Sequence, residues 1–260
     1  MSDVVTPRDR ARQSVMLPRA LVLVVLIVLW EIVGRTSSER KWISAPSLIA
    51  ARLLKWLTGN LWLHVGTTLA EMAMGLLIGV PVGIFVGLVL GRSPLLARLL
   101  RPFIVSLYNV PLIAMAPIFI LWFGLDMQPK VILVALVTFF LLFFNTFSGA
   151  QSVDRDLVQT LQLMGASRRE VFQKIVLPAS AVWIFTGIKI ALPYSLVAAT
   201  TGELMAGRQG LGFLLNQAST QLDMTGVYAA LVVLMAVGVA IGESAAWLER
   251  HVLRWRCRSV

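Results

Sequence analysis

Cysteine occurs once in this 260-residue chain, at Cys257, which excludes an internal disulfide and a thiolate metal framework. Histidine occurs twice, at His64 and His251, far apart and without neighbours at ligand spacing, so no metal site is expected. No phosphate loop of the Gly-x4-Gly-Lys-Ser/Thr type is present. The nearest lookalike, Gly202 to Gln209, lacks the lysine and hydroxyl that hold nucleotide and Mg²⁺, so ATP is not expected to bind this chain. Charged residues make up only 14% of the chain, against about 25% in soluble domains.

What is abundant is apolar. The chain is 58% hydrophobic with a mean hydropathy of +0.81, and its charges bunch between apolar runs of about the 20 residues that cross a bilayer core. These runs show no regular alternation, which favours helices over barrel strands. The expected fold is an all-α polytopic membrane protein, a single domain over 1–260. Its six spans are drawn near Ala20–Gly34, Thr67–Leu90, Pro102–Phe123, Val131–Gly149, Ala179–Thr200 and Tyr228–Trp247. The net charge of +10 fits Lys and Arg flanking membrane spans better than a nucleic-acid surface. The N-terminal run lacks a small-residue cleavage site, so it reads as an uncleaved first span.

Placing both termini inside gives the cytoplasmic segments roughly twice the Lys and Arg of the outer ones, the expected asymmetry. The cytoplasmic segments are then the tail 1–19, a loop over 150–178 and the tail 249–260. On the outer side, SLIAARLLKWL after Pro46 reads as an interfacial amphipathic helix, with Arg52 and Lys55 reaching toward lipid head groups.

In the second span Gly75, Gly79, Gly83, Gly87 and Gly91 recur every fourth residue. Small residues at this spacing let another helix approach the backbone, and Pro81 in the same span marks a site for a kink. Buried charge is costly in a membrane, so Glu31, Glu71, Lys189, Glu203 and Glu243 each need an account. Glu31, Glu203 and Glu243 lie toward span ends, where structural pairing is expected. Lys189 either joins an interhelical pair or faces an anionic solute. Asn145 either bonds between helices or touches substrate, while Met115 with Pro117 suggests a broken helix along a pathway. A membrane-embedded enzyme needs a nucleophile with a base or paired carboxylates at membrane depth. Both histidines lie outside the spans and no close acidic pair falls within one, so an enzyme is not expected.

The loop over 150–178 looks soluble. Asp154 is placed to cap a helix with apolar positions Leu157, Leu161 and Met164. Gly165 is placed to stop it in the left-handed region, and Ser167 with Glu170 forms a capping-box pattern for a second helix that ends near Pro178. Helix, glycine stop and capped helix predict a rigid elbow whose apolar edge needs a partner.

This elbow resembles the cytoplasmic signature of ABC importer permeases: Gly165-Ala166-Ser167, with Leu177-Pro178 about a dozen residues on. Gln159, Thr160 and Leu161 stand where that family carries Glu-Ala-Ala, and Met164 precedes the glycine. The segments ISAPSLIAARLL, GRSPLLARLLRPFIVSLYNVPLIAMAPIFILWFGL, VTFFLLFFNTFSGAQSVD and GELMAGRQGLGFLL are similar to the nitrate/sulfonate/taurine-type subfamily. The resemblance implies a bacterial inner-membrane permease that pairs with a second copy around a pathway. It also implies a cytoplasmic ATPase that carries the ATP and Mg²⁺, and an external solute-binding protein. The solute would be nitrate, a sulfonate or taurine, bicarbonate, or a thiamine-precursor pyrimidine. Sulfonate-type relatives often have a basic residue at the position of Glu71, which tilts the expectation toward the pyrimidine. The rival reading is a secondary, ion-coupled transporter.

Overall fold

A computed structural model describes residues 7–36 and 42–252, all helices and connections with no strand among them. Residues 1–6 and 253–260 of the expected tails, Cys257 included, lie outside the described residues. Helix α1 (Pro7–Thr36) starts well inside the segment expected as a tail. The expected short amphipathic helix is present as α2 (Pro46–Leu57), with Pro46 at its first position, where a missing N–H costs nothing. Arg52 does not reach for head groups as expected. It pairs with Asp223 at 2.7 Å, tying α2 to the chain before the last helix.

Next comes α3 (Leu61–Arg92), continuous through Pro81. The third expected span, Pro102–Phe123, is not one straight helix. It is α4 (Pro94–Tyr108), a 3₁₀ turn over Leu112–Met115 and α5 (Ala116–Phe123), bent by 74°. Pro111 cannot donate to the preceding turn, and it disfavours helical backbone at Val110, so α4 must end there. After α6 (Gln128–Gln151) come the short helices α7 (Arg155–Leu163) and α8 (Arg168–Val171). A π-helical turn, Phe172–Val176, leads into α9 (Leu177–Ala206); α10 (Leu211–Thr220) and α11 (Met224–Val252) complete the chain. Pro178 explains the π turn: it cannot bond the carbonyl four residues back and its ring crowds it, so the helix widens instead of stopping. The helix therefore runs on through the junction expected at Pro178. Among the described residues four helices are long and apolar enough to cross a membrane, or five if the bent α4–α5 pair is one span.

The glycine face of α3 lies on α6. A Cβ at Gly83 would come 2.7 Å from the Phe139 carbonyl oxygen, and one at Gly87 would come 2.8 Å from Thr146 Cβ. Gly75 faces the Val131 carbonyl with Val134, Gly79 faces the Ala135 carbonyl with Thr138, and Gly91 faces Ala150 with the Phe147 carbonyl. Both partners advance by four residues at each step, so α3 and α6 run parallel with their backbones in contact. The other face of α6 packs on α9, where Gly149 meets Trp183, Gly187 meets Asn145 and Gly202 meets Lys130. One series rises as the other falls, so these two helices are antiparallel. α11 is antiparallel to α9 in turn, through Lys189–Glu249 and Leu196–Gly238.

These directions sort the helix ends. The ends of α3, α6 and α11 lie on the same side as the start of α9, together with α7 and α8. The starts of α3, α6 and α11 lie on the other side with α10. Parallel α3 and α6 require the chain between them to return once, and α4–α5 is the segment available to do so. Gly83→Ala should destabilise the detergent-solubilised protein by about 1–3 kcal/mol through overpacking against backbone. Gly66→Ala, whose added Cβ would meet nothing within 4 Å, should be neutral or mildly stabilising. Comparing their thermal unfolding checks the assignment.

Candidate functional site

Two arrangements stand out, one at each end of the bundle. The first is the hairpin of α7 and α8. Asp154 caps α7 by accepting from Asp156 N–H at 2.9 Å. At its end Gly165 has φ +89°; its N–H bonds the Gln162 carbonyl at 3.0 Å, and Ala166 N–H bonds the Leu161 carbonyl at 2.9 Å. This paired arrangement closes a helix with a left-handed residue. No atom lies within 4 Å of where a Gly165 Cβ would be, so backbone conformation and not crowding calls for glycine. Ser167 caps α8, accepting from Glu170 N–H at 3.3 Å while Glu170 accepts from Ser167 N–H at 2.9 Å.

Val171 and Val176 are buried, whereas Leu163 and Met164 at the tip are 90% and 78% exposed. Gln159, Thr160 and Ser167 are exposed too, while Leu161 and Ala166 are half-buried. Leu177 and Pro178 begin α9, so α8, the π turn and α9 form one helical path.

At the opposite end lies a polar network among α3, α6, α9 and α10. Glu71 and Glu203 are fully buried and Lys130 is 5% exposed. Lys130 Nζ donates to Glu71 Oε1 at 3.0 Å, and Glu71 Oε2 has no hydrogen-bond partner. Glu203 accepts from Thr68 Oγ1 at 2.6 Å and from Gly212 N–H at 2.7 Å. Thr68 accepts from Leu211 N–H at 2.9 Å, and His64 Nδ1 accepts from Gly210 N–H at 3.0 Å. Three successive N–H groups at the start of α10 are thus capped by side chains of α3 and α9, where helix termini leave donors unsatisfied. Negative charge at this end is also favoured by the helix dipole. Gly210 has φ +114°, and any Cβ there would collide with the Glu203 carboxylate.

Sequence reasoning missed this network. The span drawn from Val131 leaves Lys130 just outside it, and no acidic pair falls within a span, yet two carboxylates from different helices meet here. A signal was present: His64, Thr68, Glu71 and Gly75 fall at i, i+4, i+7 and i+11, one face of a helix. Glu71 is turned into protein and paired with Lys130.

The candidate pathway residues occupy separate environments. Lys189 pairs with Glu249 at 2.5 Å. Asn145 bonds the Leu141 carbonyl of its own helix at 2.8 Å, not a neighbouring helix. Met115 ends the 3₁₀ turn and packs on the core beside Phe119 and Leu133, while Pro117 is exposed in the first turn of α5. Glu31 pairs with Arg35 and accepts from Ser47 N–H at 3.0 Å, joining α1 to α2.

A multi-helix membrane protein with a capped hairpin leading into one of its spans is the architecture of a transport permease. The chain matches the family described as binding-protein-dependent transport system inner membrane component over residues 79–254 and belongs to it: it is an ABC importer permease subunit. It is 31% identical over 236 residues to the formylaminopyrimidine transport permease protein ThiX of Halalkalibacterium halodurans, covering 91% of this chain and 94% of that one. It is 29% identical to the putative aliphatic sulfonates transport permease protein SsuC of Bacillus subtilis, covering 91% and 86%. Among solved structures, a chain of a bacterial ABC transporter involved in the import of the acidic polysaccharide alginate aligns with TM-score 0.64 at 15% identity, covering 94% of this chain and 96% of that one. A chain of the inward-facing MetNI methionine ABC transporter aligns with TM-score 0.61 at 18% identity, covering 76% and 97%. At these identities the likeness is one of fold. With the family shown, the ion-coupled carrier gives way.

Lys130→Met leaves Glu71 buried without its cation and should cost about 3–5 kcal/mol. Adding Glu71→Leu should recover most of that loss. Unfolding midpoints of the single and double variants read the difference.

Proposed function

We propose that this subunit, paired with a second copy, lines the translocation pathway of an ABC importer and is driven through the α7–α8 hairpin by a cytoplasmic ATPase. The observation that carries this is the hairpin tip. Leu163 and Met164 are exposed on a turn fixed at both sides by caps, an apolar knob with no partner among the described residues. Solvent-exposed apolar anchors held on rigid elements are suited to a groove on a partner. Because α8 continues into α9, a pull on the tip moves a membrane helix directly, biasing a two-state element without chemistry on this chain. ATP and Mg²⁺ belong to the ATPase, and an external solute-binding protein delivers the solute.

In this reading α1 and the bent α4–α5 pair join the four long helices as six spans in the bacterial inner membrane. Both termini and the hairpin are cytoplasmic, as the Lys and Arg asymmetry favours. The solute is a small organic molecule or anion. Similarity to a formylaminopyrimidine permease supports the thiamine-precursor pyrimidine type, with sulfonates or taurine as the next class.

Leu163→Asp with Met164→Asp should leave the permease folded, abolish co-purification of the ATPase and stop uptake. Gly165→Val should do the same through the left-handed backbone, whereas Gly165→Asn, which tolerates that region, should retain most uptake. Affinity purification from native membranes and transport in vesicles check both. Full ATPase retention in the double aspartate variant would overturn the docking assignment.

A further inference from the structure

α4 carries two different faces. Leu95, Leu99 and Phe103 are well exposed on one. The other turns Arg98 and Arg101 into a cavity of about 590 Å³, closed by Phe147 and Gln151 of α6. A second cavity of about 610 Å³ adjoins it, sharing Arg98 and Gln151 and adding Arg92 from the end of α3.

The guanidinium of Arg101 lies 5.4 Å over the Phe147 ring and that of Arg92 lies 5.4 Å over the Phe172 ring. Such placement steadies a cation without neutralising it. Among the described residues no carboxylate lies within ion-pair distance of these three arginines. Of the hairpin's acids, Glu170 bonds Ser167 and Lys174 and Asp154 serves its own cap, while Asp156 is exposed and pairs with none of these arginines. Arg92 and Arg101 held over rings, with Arg98 lining both cavities and no carboxylate paired to any of the three among the described residues, fit a phosphodiester.

We propose that this groove binds the head group of an anionic phospholipid, with its acyl chains along the Leu95, Leu99 and Phe103 face. The occupant follows from the juxtaposition: a basic groove backed by an apolar ridge, at the same end of the bundle as α7 and α8. Basic pockets between membrane helices at cytoplasmic head-group depth select anionic lipids. A free phosphate would gain nothing from the apolar ridge. The assignment of that end to the cytoplasmic leaflet rests on the proposed function; the groove itself does not. Phe172, beneath Arg92, belongs to the π turn that joins the hairpin to α9, so a lipid there would touch the coupling path.

The full chain, purified alone in mild detergent, is titrated with phosphatidylglycerol, phosphatidylethanolamine or inorganic phosphate and read by native mass spectrometry. Wild type should retain phosphatidylglycerol preferentially. Arg98→Gln with Arg101→Gln should weaken that binding by about 30-fold. The control Arg208→Gln, at the opposite end of the bundle, should not. Equal retention of the two lipids, equal loss in that control, or displacement by inorganic phosphate would each overturn the proposal. Hydrogen exchange on wild type supplies a test without mutation: phosphatidylglycerol should slow exchange over residues 94–105, and unchanged exchange would count against the site. No ATPase is present in this assay, so its outcome is separate from loss of docking at the hairpin.

Discussion

The contact on which this molecule depends is backbone against backbone, the glycine face of α3 laid on the carbonyl row of α6. Within lipid, burying apolar side chains between helices gives little net gain, because acyl chains are as apolar as leucine. Close van der Waals packing decides which helices associate. Five small residues in register allow that packing along most of α3, and they also fix the vertical offset of the two helices. That offset brings Glu71 level with Lys130 at one end and Arg92 level with the end of α6 at the other. A slip by one helical turn would separate a buried carboxylate from its ammonium.

The polar network shows how the bundle holds charge in its interior. Each carboxyl has named partners: Lys130 for one Glu71 oxygen, and a hydroxyl with an α10 N–H for Glu203. Removing one member leaves the other buried and uncompensated, which costs far more than the intact pair contributes. The network also gives α10 its orientation, since its first donors have side-chain partners on two other helices. Glycines at 210 and 212 let the carboxylate reach the backbone, the packing logic of α3 repeated at a turn.

At the far end the hairpin and the arginine groove share elements. α8 carries the apolar tip into α9, Phe172 of the intervening π turn sits beneath Arg92, and Arg92 ends the glycine helix. The tip is therefore joined to α9 by one helical path and to the end of α3 through Phe172 and Arg92. The widened turn at Pro178 keeps this path helical where a proline could have broken it.

Local features were legible in the sequence: the apolar spans, the glycine register, the caps of α7 and α8 and the left-handed stop at Gly165. Each is set by residues a few positions apart, and helix periodicity converts such spacing directly into geometry. The partner of the glycine face was not legible, nor was the pairing of Glu71 with Lys130, the meeting of Glu71 and Glu203, or the turn of Arg52 toward Asp223. These join residues far apart in the chain, and many partners satisfy the same local pattern equally well. The bend at Pro111 sits between the two: Met115 with Pro117 hinted at a break, but a 74° change of direction depends on what α5 packs against. By itself the sequence determined which segments are helical, how α7 and α8 are capped, and which faces must be covered. The tertiary structure decided which helices cover them, because interhelical register follows from steric fit summed along whole helices and no single residue encodes it.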